Sequence, residues 1–196
     1  MLIVRDLVGG PRRFVELQRT LPGISTEQLR SRLNRMVADG LLTRQRYREV
    51  PPRVDYELTE RARDLLPVIG ALARWGYQWA WGSPRQGEAV DVGAILRCLP
   101  GLSVPAGLKG SVALTVRRNG ADDRDYVVST TRDELSVVEG TGEGTSAHID
   151  GTEAAWIAAL GPDPDRSGLK IDGDQRVASA LLDGVAPVAL TEAAVA

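Results

Sequence analysis

The sequence predicts an α+β protein built as two domains, and three observations carry that prediction. The first is charge. Residues 1 to 82 hold 14 arginines against 9 Asp and Glu, a balance of +5, whereas residues 83 to 196 hold 10 Lys and Arg against 17 acids, a balance of -7. A reversal of this kind points to one half that meets polyanions and one that does not, or to compositional drift between unrelated domains. The second is period: the first half opens in helical spacing, and the second runs through a series of alternating segments that read as strands. The third is Gly82-Ser83-Pro84-Arg85-Gln86-Gly87, a polar run with two glycines and a proline lying where the charge changes sign. It reads as a linker. The expected domains are residues 1–82 and 88–196, joined by a linker at 83–87.

Composition narrows the functional classes. With 43% hydrophobic and 26% charged residues the balance is that of an ordinary globular chain, and no stretch approaches the roughly 18 apolar residues of a membrane span. No membrane partner is expected. The apolar opening, Met1 to Val8, has neither the basic flank nor the small-residue cleavage site of a secretory signal. A single cysteine, Cys98, excludes an internal disulfide and a cysteine-rich zinc site. A reducing, cytoplasmic address fits these features. Only Lys109 and Lys170 among the 24 cationic residues are lysines, which suggests a GC-rich bacterial genome.

Within the basic half, the segment Met1 to Val8 ends at Gly9-Gly10-Pro11, as a helix does. A second helix is expected from about Arg13 to Thr20, with Phe14, Leu17 and Leu21 on one face and Pro22-Gly23 as its stop. Ser25-Thr26-Glu27-Gln28 then forms a capping box, in which the Ser25 hydroxyl serves the Gln28 N–H and the Gln28 side chain serves the Ser25 N–H. From that cap, Leu29, Leu33, Met36 and Val37 recur at helical spacing, and Gly40 is placed to close the helix in a left-handed conformation. The opposite face is fixed by that stripe. It presents Thr26, Arg30, Ser31 and Asn34, with Arg35 nearby, side chains suited to base edges and phosphates. Two helices joined by a glycine-bearing turn, the second exposing such a face, make a helix-turn-helix, although an ordinary helical hairpin shares the apolar spacing.

The next segments add a wing. Leu42 to Arg48 and Arg53 to Leu58 alternate as two strands around Glu49-Val50-Pro51-Pro52. Period-2 spacing puts Arg44, Arg46 and Arg48 on one face of the first strand, with Val54, Tyr56 and Leu58 sharing a face of the second. Aligned arginines beside a helix-turn-helix look like a hairpin that grips the DNA backbone; a solvated hairpin face is the alternative. The candidate DNA-binding residues are therefore Ser25, Thr26, Arg30, Ser31, Asn34, Arg35, Arg44, Arg46, Arg48 and Arg53. Thr59 caps a long helix with Leu65, Val68, Ile69, Leu72, Gly76 and Trp79 at helical spacing, and Pro67 is expected to kink it. With Trp75, Tyr77 and Trp81 at its end, that helix can dock a second domain or make a two-fold dimer contact.

These residues resemble the HxlR-type winged helix-turn-helix transcriptional regulators, relatives of the MarR group. The likeness runs through Leu2-Ile3-Val4-Arg5-Asp6-Leu7, then Gly10, Arg13, Phe14, Glu16 and Leu17, then Pro22-Gly23-Ile24-Ser25. It continues at Leu29, Leu33, Asp39-Gly40-Leu41, Tyr47, Pro52, Tyr56-x-Leu58-Thr59 and Trp75-Gly76, over about the first 80 residues. The resemblance implies a DNA-binding regulator. Members usually carry a helix, often with a cysteine, ahead of the position of Leu2. The sequence opens at that position, and a start codon assigned too late would account for it.

In the acidic half, Val90, Ala94, Ile95, Cys98 and Leu99 trace a helix face, which makes Cys98 a small apolar residue in a core. Val112, Leu114 and Val116 share a strand face, and Tyr126 to Ser129, Leu135 to Val138 and Ala147 to Ile149 supply three more strands. A meander of antiparallel strands is expected. Glu153 to Leu160 then reads as a helix, Leu169 to Ile171 as a last strand and Asp174 to Leu182 as a closing helix. This order, with the Trp156-bearing helix and the Leu169-Lys170-Ile171-Asp172-Gly173-Asp174 ending, resembles the sterol carrier protein type 2-like fold. That resemblance implies an apolar site for a hydrophobic molecule, with Ile95, Leu99, Val112, Leu114, Trp156 and Leu160 as candidate pocket or core residues. A closed core serving only for dimerisation is the alternative.

No signal points to catalysis. Gly140-Thr141-Gly142-Glu143-Gly144 resembles a phosphate loop but precedes a strand where a helix N-terminus is needed, so a hairpin turn is expected. His148, the one histidine, lacks the partners of a metal site or a nucleophile pair. Asp163, Asp165, Asp172 and Asp174 lack the closing glutamate of a calcium loop. Neither a cofactor nor a metal is expected. The sequence thus reads as a bacterial transcriptional regulator, a homodimer on an inverted-repeat operator in double-stranded DNA, carrying a domain that senses a hydrophobic small-molecule effector. The alternative is a carrier or enzyme for a lipid-like molecule with a vestigial DNA-binding scaffold.

Overall fold

A computed structural model describes residues 1–21, 23–48, 53–80, 82, 90–99, 108–131, 134–161 and 163–185. The chain divides into two compact units, Met1–Ile69 and Gly70–Ala196. The division falls inside a helix, ahead of the linker expected at 83–87, which lies outside the described residues along with Trp81 and the wing tip at 49–52.

The first unit runs α1 (Leu2–Asp6), β1 (Arg12–Arg13), α2 (Phe14–Thr20), α3 (Thr26–Ala38), β2 (Leu42–Tyr47), β3 (Arg53–Leu58), α4 (Glu60–Arg63) and the start of α5 (Leu66–Trp79). The start and stop of α3 have local causes. The Ser25 hydroxyl accepts from the Gln28 N–H at 3.1 Å and the Gln28 side chain accepts from the Ser25 N–H at 3.2 Å, the expected reciprocal cap. Gly40 takes φ +69°, so α3 stops where a Cβ would be strained and the chain turns into β2. Leu7, Leu17, Leu29 and Leu33 have no exposed surface, and Leu42, Tyr56 and Leu58 close the core from the sheet side.

Two readings of this unit need correction. The chain adds a two-residue strand, β1, which pairs antiparallel with β3 through Arg12↔Tyr56 and Arg13↔Asp55, so the sheet has three strands in the order β1-β3-β2. In place of one kinked helix after Thr59 there are two, because Pro67 occupies the second position of α5. A proline in the first turn has no intrahelical N–H bond to lose, so starting a new helix costs less than carrying a proline through an old one. The apolar stripe also splits: Ile69 is buried, while Val68, Leu72, Trp75 and Trp79 line an exposed face of α5 at helical spacing.

The second unit holds α6 (Val92–Leu96), β4 (Ser111–Arg117), β5 (Arg124–Thr131), β6 (Glu134–Glu139), β7 (Ala147–Thr152), α7 (Glu153–Ala159), β8 (Lys170–Gly173) and α8 (Gln175–Val185). The class is α+β, as predicted, but the sheet is no plain meander. Its order is β6-β5-β4-β7-β8, and β7 runs parallel to β4 while the other pairings are antiparallel. Segment 140–146 is therefore a connection carrying the chain from the β6 edge past β5 and β4, and the hairpin expected there does not form. Alternation fixes the buried face: Val112, Leu114 and Val116 of β4, Tyr126 and Val128 of β5, and Ala147 and Ile149 of β7 enter one core with Trp156 and Leu160. The Trp156 indole N–H donates to the Thr115 carbonyl at 2.9 Å, which satisfies the one polar atom of that buried ring.

Candidate nucleic-acid interface

Burial of Leu29 and Leu33 sets the rotation of α3, and the side chains opposite them are left outside. Thr26, Arg30, Ser31, Asn34 and Arg35 are all exposed, as is Arg32, which a reading centred on the face opposite the leucines passed over. Arg32 stands on the flank of that face, one residue before a buried leucine, and only its exposure in the fold marks it as available. The Thr26 hydroxyl accepts from the Gln18 side-chain amide at 2.9 Å, which ties the first turn of α3 to α2. Ser25 is committed to the cap.

The cations on this helix are lightly held. Arg30 pairs with Glu27 at 3.2 Å and Arg35 with Asp39 at 3.0 Å, all four side chains being well exposed. Exposed pairs of this type contribute about 0 to 1 kcal/mol, so a phosphate or a guanine edge competes with them readily. A 13-residue helix is about 20 Å long and about 10 to 12 Å across, a diameter comparable to the roughly 12 Å width of a DNA major groove.

The hairpin behaves less uniformly than its sequence. Arg44, Arg46 and Arg48 are exposed, and the first two stand opposite Tyr56 and Val54 of β3. Arg44 lies over the Tyr56 ring at 6.0 Å, and Arg53 over the Tyr47 ring at 5.3 Å, so each wing strand brings an arginine within cation–π distance of a tyrosine on the other. Arg53 differs from the others. It donates from Nε to both oxygens of Asp55 at 2.9 Å, and the Asp55 side chain is only 2% exposed. Arg53 therefore supplies the charge that a buried carboxylate needs, with Arg13 a further 4.0 Å contact.

In the second unit, Leu99, Val112, Leu114, Trp156 and Leu160 are buried in the core and Ile95 packs half-buried against it. Cys98 is half-buried, its thiol donating to the Ala94 carbonyl at 3.3 Å. His148 sits on the opposite face of the sheet. Its Nε2 lies 2.9 Å from the Thr115 hydroxyl, which donates to Asp125 at 2.6 Å and so must accept from the imidazole. Among the described residues no group of three or more His, Cys, Asp or Glu could hold a metal ion, and no helix is long and apolar enough to cross a membrane.

Comparison with known proteins places these features in context. Residues 1–83 match the family described as HxlR-like helix-turn-helix. The chain is similar to an uncharacterized HTH-type transcriptional regulator of Synechocystis, at 42% identity over 79 residues, covering 40% of this chain and 58% of that one. It is 37% identical over 87 residues to a similarly described regulator of Methanothermobacter thermautotrophicus, covering 44% and 66% of the two chains. YkvN of Bacillus subtilis, also described as an HTH-type transcriptional regulator, is 37% identical over 87 residues, with 44% and 74% covered. The match thus spans about three fifths to three quarters of these relatives' length. Among solved structures, the reduced form of the transcriptional regulator YodB from B. subtilis is 36% identical, with 40% of this chain and 76% of that one covered and a TM-score of 0.37.

Proposed function

Because this chain belongs to the HxlR-like helix-turn-helix family, we propose that it is a transcriptional regulator that reads operator DNA with α3 and steadies itself with the β2–β3 wing. The observation that carries this reading is the division of α3 into a face fully buried through Leu29 and Leu33 and a face left to solvent with Arg30, Ser31, Asn34 and Arg35. Base edges are read by Arg30, Ser31 and Asn34. Arg44, Arg46 and Arg48 meet phosphates, and Arg53 holds the hairpin in shape through Asp55. The protein acts as a homodimer, with two copies of α3 in successive major grooves of an inverted repeat about 34 to 36 Å apart. The exposed stripe Val68, Leu72, Trp75 and Trp79 on α5 is an apolar face of the kind a two-fold contact covers.

Residues 88–196 act as the sensing domain, with linker 83–87 between. A hydrophobic small molecule enters among Ile95, Leu99, Val112, Leu114, Trp156 and Leu160, and its differential affinity for two arrangements of the dimer alters the spacing of the reading heads. The test is operator binding by the full chain with Arg30 and Asn34 changed to alanine. Each lost base contact is expected to cost about 1 to 3 kcal/mol on the chain's own promoter region, with little change on random DNA. Unaltered discrimination would remove α3 from the reading role.

A further inference from the structure

The sensing domain keeps a cation where its core should be apolar. Arg97 follows α6, and its side chain is 1% exposed. It donates from Nη2 to Asp91 at 2.9 Å, yet that carboxylate is 38% exposed, and a second arginine, Arg124 of β5, holds the other Asp91 oxygen at 3.5 Å. Both guanidinium groups thus reach one carboxylate that is 38% exposed, and the charge of Glu139 on the neighbouring strand also acts on Arg124. Asp91 immediately precedes α6 but makes no side-chain bond to that helix's backbone, because its oxygens are turned to the arginines.

The hydroxyl of Tyr126 completes the nest. The residue is 1% exposed, and among the described residues its hydroxyl finds no hydrogen-bond acceptor. Burial, and after it the charge of Glu139 on the neighbouring strand, raise its pKa, so the proton stays on oxygen and is available to donate. The three groups converge on Gly93. A Cβ there would collide with the Tyr126 hydroxyl and come within 2.9 Å of Arg97 Nη1 and 3.1 Å of Asp91 Oδ1. A buried donor without an acceptor costs stability unless something else satisfies it. A carboxylate held by two arginines and free to leave for water marks where another oxyanion can enter.

We propose that Arg97, Arg124 and the Tyr126 hydroxyl form a subsite for the carboxylate of an amphiphilic organic acid, and that Asp91 is the resident carboxylate this ligand displaces. The proposal rests on the reading of residues 88–196 as a sensor of hydrophobic molecules and adds the chemistry of the ligand's polar end. Val92 and Leu96, buried on either side of Gly93 in α6, give the ligand's apolar body its surroundings. Released Asp91 is placed to accept from the first backbone amides of α6, so ligand entry is coupled to the local structure of that helix.

Titration calorimetry of the full chain with octanoate, octanol and acetate tests this. Octanoate should bind about 10-fold or more tightly than octanol, and Asp91→Asn should tighten octanoate by about 10-fold while leaving octanol unchanged. If Asp91→Asn fails to fold, Tyr126→Phe keeps both arginines and should weaken octanoate about threefold or more without affecting octanol. Equal affinity for octanoate and octanol, or variants that leave octanoate binding unchanged, would overturn the subsite and leave hydrophobic sensing standing. Acetate binding as tightly as octanoate would support the subsite and overturn hydrophobic sensing. Failure of all three probes to bind would overturn both.

Discussion

Replacing Arg46 with glutamine puts the wing to an arithmetic test. Arg46 projects from β2 opposite Val54, is exposed, and meets no carboxylate among the described residues. Its loss should therefore leave folding stability within about 0.5 kcal/mol of the parent. Each phosphate contact contributes about 0.9 to the slope of log affinity against log salt, so the two wings of the proposed dimer on one operator should change that slope by about 1.8. Between about 50 and 200 mM salt the parent protein should then lose about twelvefold more affinity than the variant. Fluorescence anisotropy of labelled promoter DNA over a salt series reads the slope directly, with random DNA of equal length as control. Because a phosphate contact carries no sequence information, both DNAs should show the same change. A change of about 0.9 would mean that one wing of the pair engages. An unchanged slope, with the fold intact, would show that the hairpin is merely solvated.

Two further outcomes follow from buried groups. Arg53→Gln leaves the Asp55 carboxylate, 2% exposed, with the 4.0 Å contact to Arg13 as its one remaining ion pair among the described residues, and because Arg53 is itself 38% exposed the loss is screened. Urea denaturation should show about 1 to 2 kcal/mol of destabilisation, below the 3 to 5 typical of a fully buried pair; lost DNA affinity with unchanged stability would make Arg53 a direct DNA contact. Burial, with the charge of Asp163 second, lifts the Tyr77 phenol from 10.0 to about 12, and Tyr126 is raised as well. In both, the folded state holds the proton more tightly than the unfolded state. The stability they contribute is present below about pH 10 and is lost as pH climbs toward about 12. A phenolate absorbance titration should show a late step that shrinks in Tyr77→Phe and in Tyr126→Phe, and a titration of the parent complete by about pH 11 would contradict the burial argument.

The features legible in the sequence are those whose cause lies within about four residues. The Ser25–Gln28 cap, the Gly40 stop and the Leu29/Leu33 stripe each depend on a helical turn, and each stands where spacing puts it. The exposed face of α3 follows from that stripe with no further information. Alternation in β4 was legible for the same reason, since one face of that sheet is covered and the other is not. Where an element is covered on both sides the rule fails. In β3, Asp55 and Tyr56 are neighbours in sequence yet both buried, Tyr56 in the core and Asp55 against the Arg53 and Arg13 guanidiniums.

What stayed hidden depends on residues meeting across the chain. Arg12 finds Tyr56 and Arg13 finds Asp55 over more than forty positions, and a two-residue strand is too short to show any period. The parallel pairing of β7 with β4 has the same character: an antiparallel continuation from β6 would satisfy the same alternation, and only packing in the whole sheet decides between them. The group formed by Asp91, Arg97, Arg124 and Tyr126 is the sharpest case. Arg97 sits in a short stretch that otherwise reads as an apolar helix face, so in sequence it is an ordinary charged residue near a helix end. Its meaning comes from β5, which brings a second cation and a hydroxyl from nearly thirty residues away. A buried arginine facing a half-exposed carboxylate is a costly way to stabilise a core when a leucine would serve. That cost is what the proposed ligand subsite would account for, and Asp91→Asn, which removes the competitor and keeps the cations, separates a ligand subsite from a structural ion pair.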